Sequence, residues 1–316
     1  MDISVIIPTT AKELRGPYLV AALDSLFAQS AHRAMPIVVV NGTSYVPDLL
    51  RALQSDKRLR VIYREEPGEM AALAAGRRIV DTEYFGVLDD DDLYLPNAFA
   101  IRVAALQKAP SADAVITNGY CRTAAGESLL LDNFAQISAD PLAQLMHRNW
   151  MTPPGVLFRT ASVGADIFAE APTMLEYTYF GLRIASAGKL CFVDVPTFIK
   201  QDLLADAITR TNEYVTLQPR ALEQMMRLAL PHGVQRRLGQ KLAASHHHVS
   251  AQELSQGHLG LAWRAHLKSL QSLYGLRYLS YTRHLLGPAV RAAMISGTAI
   301  ATLLATAEAA AEFACG

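Results

Sequence analysis

Cysteine is scarce. The chain has three in 316 residues, Cys121, Cys191 and Cys315, too few and too scattered for a disulfide framework or a zinc site. A reducing compartment fits that usage. No apolar stretch reaches the roughly 18–20 residues that a spanning helix needs. The nearest, "AAMISGTAIATLLAT" from Ala292 to Thr306, is uncharged but short and rich in small residues, and it reads as a packed or membrane-surface helix. No basic, apolar leader precedes the first strand, because Met1-Asp2 runs straight into "ISVIIP". The expectation is a cytoplasmic protein, peripheral at most to the inner face of a membrane. No Gly-x-Gly-x-x-Gly follows any predicted strand, which argues against a dinucleotide oxidoreductase. Internal repeats and low-complexity linkers are also missing.

Hydrophobic residues make up 51% of the chain, enough to bury a real core. Formal net charge is zero, but the two parts differ. Residues 1–205 carry 18 Lys/Arg against 23 Asp/Glu, and residues 206–316 carry 11 against 6. Two regions with different tasks are expected, one spanning 1–205 and a basic helical one spanning 206–316.

In the first region, short β-branched runs alternate with helical spacing. "ISVIIP", "PIVVVNG", "RLRVIYR", "TEYFGVLD" and "DAVITNGY" read as strands. Residues 17–29, 46–55, 69–80 and 96–109 read as the helices between them. Further on, 174–187 reads as a helix and 190–199 as a strand. This pattern predicts an α/β fold with a mostly parallel sheet. Ligands bind such sheets outside the carboxyl ends of the strands. Three polar sites fall there: Thr9-Thr10, Asn41-Gly42 and Asp89–Asp92.

The run "FGVLDDDDLYLP" places four aspartates after a buried strand. A solvated turn or a helix start would explain an arbitrary acidic run. At a strand's carboxyl edge, the same run suits a hard cation. Mg²⁺ is usually held by one or two carboxylates plus substrate phosphates.

The segments "SVIIPT", "IVVVNGTS", "EYFGVLDDDDLYLP" and "EYTYFGLRIASAGK" occur in that order over residues 4–189. Together they resemble a family 2 glycosyltransferase of GT-A fold. That resemblance implies a nucleotide-diphosphate sugar donor, a divalent metal (Mn²⁺ or Mg²⁺) and transfer to an acceptor hydroxyl with inversion. It assigns a metal ligand to Asp91 and nucleotide or metal contact to Asp89. Asp90 fills the variable position beside the nucleotide-sugar, and Asp92 is expected to cap the next segment. Pro8, Thr9, Thr10 and Glu13 form the loop that lies along the nucleotide in relatives. Val40 stands where relatives carry a base- or ribose-reading aspartate, leaving Asn41 as its substitute. Gly68, Ala71, Ala72 and Gly76 keep the third family element, while Leu73 and Ala74 replace its Arg and Asn.

The last family element is Glu-Asp at a helix start, with Arg seven residues after the Glu. Here Glu176 and Arg183 keep the spacing, but Tyr177 replaces the aspartate that usually takes the acceptor's proton. A phenol with a reference pKa near 10 is a poor base at neutral pH. Glu176 is therefore the expected base, although neighbouring helix residues point about 100° apart. Trp150, in "NWMTPPGVLFR", is expected to stack on an acceptor sugar, with Tyr177 and Arg183 on the same acceptor side.

From Arg220 to Arg291 there are ten Lys/Arg and two acids, with seven of the nine histidines. "SHHHVS" has no spaced partner for a metal site. "LYGLRYLSYTRHLLGPAVRAAM" suits a helix lying on anionic lipid, and a lipid-linked or glycan acceptor is expected. Sparse aromatic interleaving argues against nucleic acid. Two rival readings are a catalytically inactive nucleotide-sugar-binding protein on the same fold and a sugar-phosphate nucleotidyltransferase. The second should show a Gly-rich basic loop after the first strand, and "PTTAKELRG" is not one.

Overall fold

A computed structural model describes residues 1–186, 189–203 and 212–287. The chain divides into two units, Met1–Asp206 and Ala207–Gly316.

The first unit is built on one sheet. Its strands among the described residues are β1 (Asp2–Thr9), β2 (Arg33–Asn41), β3 (Arg60–Arg64), β4 (Tyr84–Val87), β5 (Leu93–Tyr94), β6 (Ala114–Thr123), β7 (Gly126–Leu129), β8 (Val156–Arg159) and β9 (Leu190–Gln201). They are ordered β3-β2-β1-β4-β8-β6-β9-β5, with β7 paired to β6. The first four strands are parallel, and β8 enters antiparallel between β4 and β6. Ile3 to Ile7 are buried along the whole strand, as expected for a parallel strand covered on both faces.

Helices α1 (Gly16–Phe27), α2 (Pro47–Ser55), α3 (Glu69–Arg78) and α4 (Ala98–Lys108) connect successive strands. Ile3, Val5 and Ile7 of β1 share a core with Leu19, Leu23 and Leu26 of α1 and with Phe99 and Val103 of α4. The other face of β1 meets α3. A Cβ on Gly76 would lie 2.5 Å from Ile6 and 3.3 Å from Val39, so only glycine lets this helix sit so close. Short helices α5 (Phe134–Ala139), α6 (Pro141–Leu145) and α7 (Asp166–Ala169) precede α8 (Glu176–Ser186).

The predicted elements of this unit form within a few residues of their expected ends. The strand β5, right after the aspartates, was not expected. It pairs antiparallel with β9 and brings the end of β9 beside the acidic run. The buried Arg102 of α4 fixes that region. Its guanidinium donates to Thr197 Oγ1 on β9 at 2.6 Å and to Thr117 Oγ1 on β6 at 3.3 Å. It also lies 4.6 Å from the Tyr94 ring centroid.

The second unit is helical where it is described: α9 (Asn212–Met225), α10 (His232–Ser255), α11 (Leu259–Leu270) and α12 (Thr282–Leu285), with 3-10 turns at Leu273–Tyr281. The three successive histidines of α10 take three environments. His246 is buried, His247 stacks on Tyr278 with centroids 4.1 Å apart, and His248 is exposed. The segment expected to lie on lipid as one helix is 3-10 turns followed by α12 over its described part, and Ala292–Thr306 falls outside the described residues. Among the described residues no helix is long and apolar enough to cross a membrane.

Candidate active site

Parallel pairing lines up the strand ends. Thr9 pairs with Val40, and Ile6 pairs with Val87. Leu88 N–H donates to Ile6 O at 3.0 Å, so the β1–β4 ladder runs up to the residue before Asp89. The ends of β1, β2 and β4 therefore form one edge.

Thr9 organises that edge. Its hydroxyl donates to Asp90 Oδ2 at 2.6 Å and accepts from Ala11 N–H at 2.9 Å. Pro8 is buried within β1, Thr10 is half-buried and Glu13 is exposed in the turn that leads to Arg15. Asn41 serves the scaffold. Its Nδ2 donates to Thr9 O at 3.0 Å, and its Oδ1 accepts from Gly68 N–H at 3.0 Å. Asn41 is 6% exposed, with one hydrogen bond at each end of its amide. Gly68 has φ 140°, a conformation that favours glycine, and from there it starts α3.

The four aspartates occupy four environments. Asp90 is buried between Thr9 and Arg15, whose Nη1 lies 2.7 Å from Asp90 Oδ1 and 3.0 Å from Asp91 Oδ2. It is an anchor rather than a spare position. Asp92 caps no helix. Its Oδ1 accepts from Gln201 N–H at 2.8 Å, tying the turn to the end of β9, while Gln201 Nε2 donates to Asp91 O. Asp92 Oδ2 is buried and has no hydrogen-bond partner. Burial pushes the Asp92 carboxyl up to about 7 against the pull of Lys200. Burial, then Asp92 and Glu69, hold Asp89 well above the usual carboxylate range. Burial works against the Lys200 charge, but Asp92, Asp89 and Asp91 outweigh it and raise its pKa. Four ionised aspartates would outnumber the two cations that face them, Arg15 and Lys200, and the raised values of Asp89 and Asp92 relieve that excess by proton uptake.

Among the described residues no three His, Cys, Asp or Glu side chains form a complete metal cage. The donor set is all carboxylate oxygen, one oxygen of it buried and unpartnered. Such a set fits a hard divalent cation that takes its remaining ligands from a diphosphate.

Across this edge stands the start of α8. Met174 and Leu175 precede it with φ of 70° and 59°, a strained pair for residues with side chains. Glu176 Oε1 accepts from Met174 N–H at 2.8 Å and braces that turn. The Tyr177 hydroxyl donates to Glu69 Oε1 on α3. Burial raises Glu69, with nearby Glu176 adding to it and the Tyr177 hydrogen bond opposing it. Tyr177 itself is held well above its ordinary value by burial and by Glu69, so its phenol stays protonated. Glu69 and Glu176 both line a cavity of about 470 Å³, together with Gly68, Arg64, Arg78 and Thr173.

Two residues expected on the acceptor side make contacts within the unit. Trp150 is 1% exposed, its Nε1 donates to Pro141 O at 2.8 Å, and its ring meets Phe192 edge-on at 5.7 Å. A ring so enclosed cannot stack on a sugar. Arg183 is bound to α7, with Glu170 at 2.5 Å and Asp166 at 3.7 Å, and it holds that short helix against α8.

Four residues of the site were not singled out from sequence: Arg15, Glu69, Lys200 and Gln201. Each reaches its partner from a distant part of the chain. Only Glu69, a carboxylate directly after the family glycine, carried a local signal.

The profile described as "Glycosyl transferase family 2" matches residues 4–156. An uncharacterized glycosyltransferase of Rickettsia conorii is 33% identical over 172 residues, 51% of this chain and 28% of that protein. One of Rickettsia typhi is 33% identical over 103 residues, 33% of this chain and 32% of that protein. The chain thus spans under a third of either relative. Among solved structures, TarS 1-349 of S. aureus in complex with UDP-GlcNAc superposes with a TM-score of 0.56 at 15% identity, covering 84% of this chain and 81% of that one. The same protein in complex with UDP gives 0.54 at 15% identity, covering 90% and 88%. The N-terminal unit of this chain belongs to glycosyl transferase family 2 and has its GT-A fold.

Proposed function

We propose that the chain transfers a sugar from a nucleotide-diphosphate donor to an acceptor hydroxyl with inversion, in the synthesis of a bacterial-type polysaccharide, glycolipid or surface glycan. One observation carries this reading. The carboxyls of Asp89, Asp91 and Asp92 gather at the carboxyl ends of β1 and β4, two of them raised by burial and one with a buried oxygen that has no partner, beside a cavity lined by Glu69 and Glu176. A uridine diphosphate donor is the first choice, because the similar fold of TarS was solved with UDP-GlcNAc and with UDP.

Asp89 and Asp91 would hold a divalent cation, with Asp92 beside them. When bound, that cation supplies positive charge to the diphosphate leaving group. The protein's own residues do the rest. Thr9 and Arg15 hold Asp90 and Asp91 in place, so the acidic edge is set before the donor arrives. Thr10, Glu13 and Gly68 lie along the nucleotide. Glu176 takes the proton from the acceptor hydroxyl as it attacks. Glu69, whose pKa is raised by burial, accepts from the Tyr177 hydroxyl. Tyr177 remains a neutral phenol on the acceptor side and orients Glu69.

The acceptor is a glycan or a lipid-linked hydroxyl. The protein works in the cytoplasm, at the inner face of the membrane. Exposed Leu273, Leu276 and Leu279 lie in the basic segment proposed to meet anionic lipid.

A second reading, an inactive nucleotide-sugar-binding protein, is favoured by one observation: the residue at the usual base position is Tyr177, and it is bound to Glu69. A thermal-shift screen of nucleoside diphosphates with Mn²⁺ tests the donor site. UDP with Mn²⁺ should raise the melting temperature of the wild type and not of Asp91→Ala. Absence of any metal-dependent shift with every diphosphate would overturn both readings. A shift without turnover of any nucleotide-sugar would leave the inactive one.

A further inference from the structure

The second unit holds a cavity of its own, about 580 Å³, between α9, α10 and α11. Among the described residues, four cationic side chains line it: Arg220 on α9, Arg227 in the turn that follows, and Arg264 and Lys268 on α11. Arg264 and Lys268 are four residues apart, so they stand on one helix face, where like charges repel. None of the four makes an ion pair with a described residue. The two carboxylates of the lining face histidines. Glu223 lies 3.6 Å from His246 Nε2, and Glu253 lies 2.9 Å from His258 Nδ1. With the histidines neutral, four positive charges meet two negative ones, leaving an excess of two. The field reaches the wall itself. The buried His246 has its pKa lowered by burial and then by Lys268, against the pull of Glu223.

All four side chains are exposed to solvent around one concave surface, where their excess over the two carboxylates raises the local potential for an anion. Three guanidiniums and an ammonium suit phosphoryl oxygens, since the arginine fork meets two of them at once. The volume lies within the range of small-molecule sites.

We propose that this cavity binds a phosphate monoester or diphosphate group. The inference does not depend on the transferase reading, because its residues belong to the helical unit and the aspartates to the other.

The test is calorimetric titration of the full chain with inorganic pyrophosphate in EDTA, so that no divalent cation holds the probe at the aspartates. One saturable site is expected. Arg264→Gln and Lys268→Gln should each weaken it about ten-fold, the scale of one lost charge-assisted contact. Asp91→Ala should leave it unchanged, and Arg264→Lys should fall between. No saturable binding, affinity unchanged in both cavity variants, or binding lost in Asp91→Ala would each overturn the proposal. Both positions are exposed, and should Arg264→Gln fail to fold, Lys268→Gln decides alone. Flotation with phosphatidylcholine vesicles, with and without phosphatidic acid, identifies the source. Retention that requires phosphatidic acid and is competed by pyrophosphate assigns a lipid headgroup. Pyrophosphate binding without such retention assigns a soluble phosphate compound.

Discussion

The Thr9 hydroxyl donates to Asp90 Oδ2 at 2.6 Å across 81 residues of sequence, and it joins the carboxyl ends of β1 and β4. A buried carboxylate that loses such a donor bears part of its desolvation cost unrelieved. Thr9→Val should therefore destabilise the N-terminal unit by about 1–3 kcal/mol, read by chemical denaturation. It should also weaken Mn²⁺-dependent nucleotide binding, because Asp90 shares Arg15 with Asp91. Unchanged stability would show that this bond does not hold the edge together.

The two residues that open α8 should separate cleanly. Glu176→Gln removes the proposed base and should lower kcat by about 10²–10⁴-fold with little change in donor KM. Tyr177→Phe removes no proton acceptor and should keep turnover within about ten-fold of wild type. The reverse ranking in steady-state assays would take the base role from Glu176.

Trp150 supports the fold. Trp150→Ala should cost about 3–5 kcal/mol of stability in a denaturant titration. Trp150→Phe, which keeps an aromatic ring against Phe192, should leave acceptor KM unchanged. A large rise in acceptor KM for the phenylalanine variant would restore the sugar-stacking role.

How far these features could be read in sequence follows from their range. β1 to β4 and the helices between them are legible because periodicity and β-branching act within a few residues. Parallel α/β topology then places Thr9, Asn41 and Asp89 on one edge without further information. The side-chain ties across that edge are another matter. Arg15 lies 75 residues before Asp90, and Tyr177 lies 108 after Glu69; no local pattern records such pairs. The ties of Asn41 and Trp150 are hidden from the sequence for the same reason. Each has a polar group that suits a ligand, and each spends it on backbone that only the folded chain brings near.

In the helical unit, burial lowers the pKa of His246, His247 and His266. His266 is fully buried, with Nε2 2.8 Å from Thr282 Oγ1 and Nδ1 without a partner. The unfolded chain then binds more protons than the folded one below the ordinary imidazole value of 6.5. Stability from these groups is complete above about pH 6.5 and is lost as pH falls through their lowered folded values. Protection factors of α10 and α11 amides, taken against the intrinsic exchange rate at each pH, should fall on acidification below about pH 6.5, and His266→Gln should flatten that dependence. Equal dependence in both proteins would remove His266 as a cause.

The central claim is that the acidic edge at the end of β4 supports transfer from a nucleotide-sugar. The direct measurement is release of UDP from a panel of UDP-sugars, with Mn²⁺ or with EDTA, by the wild type and by Asp91→Ala. The account predicts release by the wild type with Mn²⁺, loss in EDTA, and a fall of at least about 10²-fold in Asp91→Ala, on the scale set by removing one charge-stabilising group. Equal release by Asp91→Ala and wild type would contradict it.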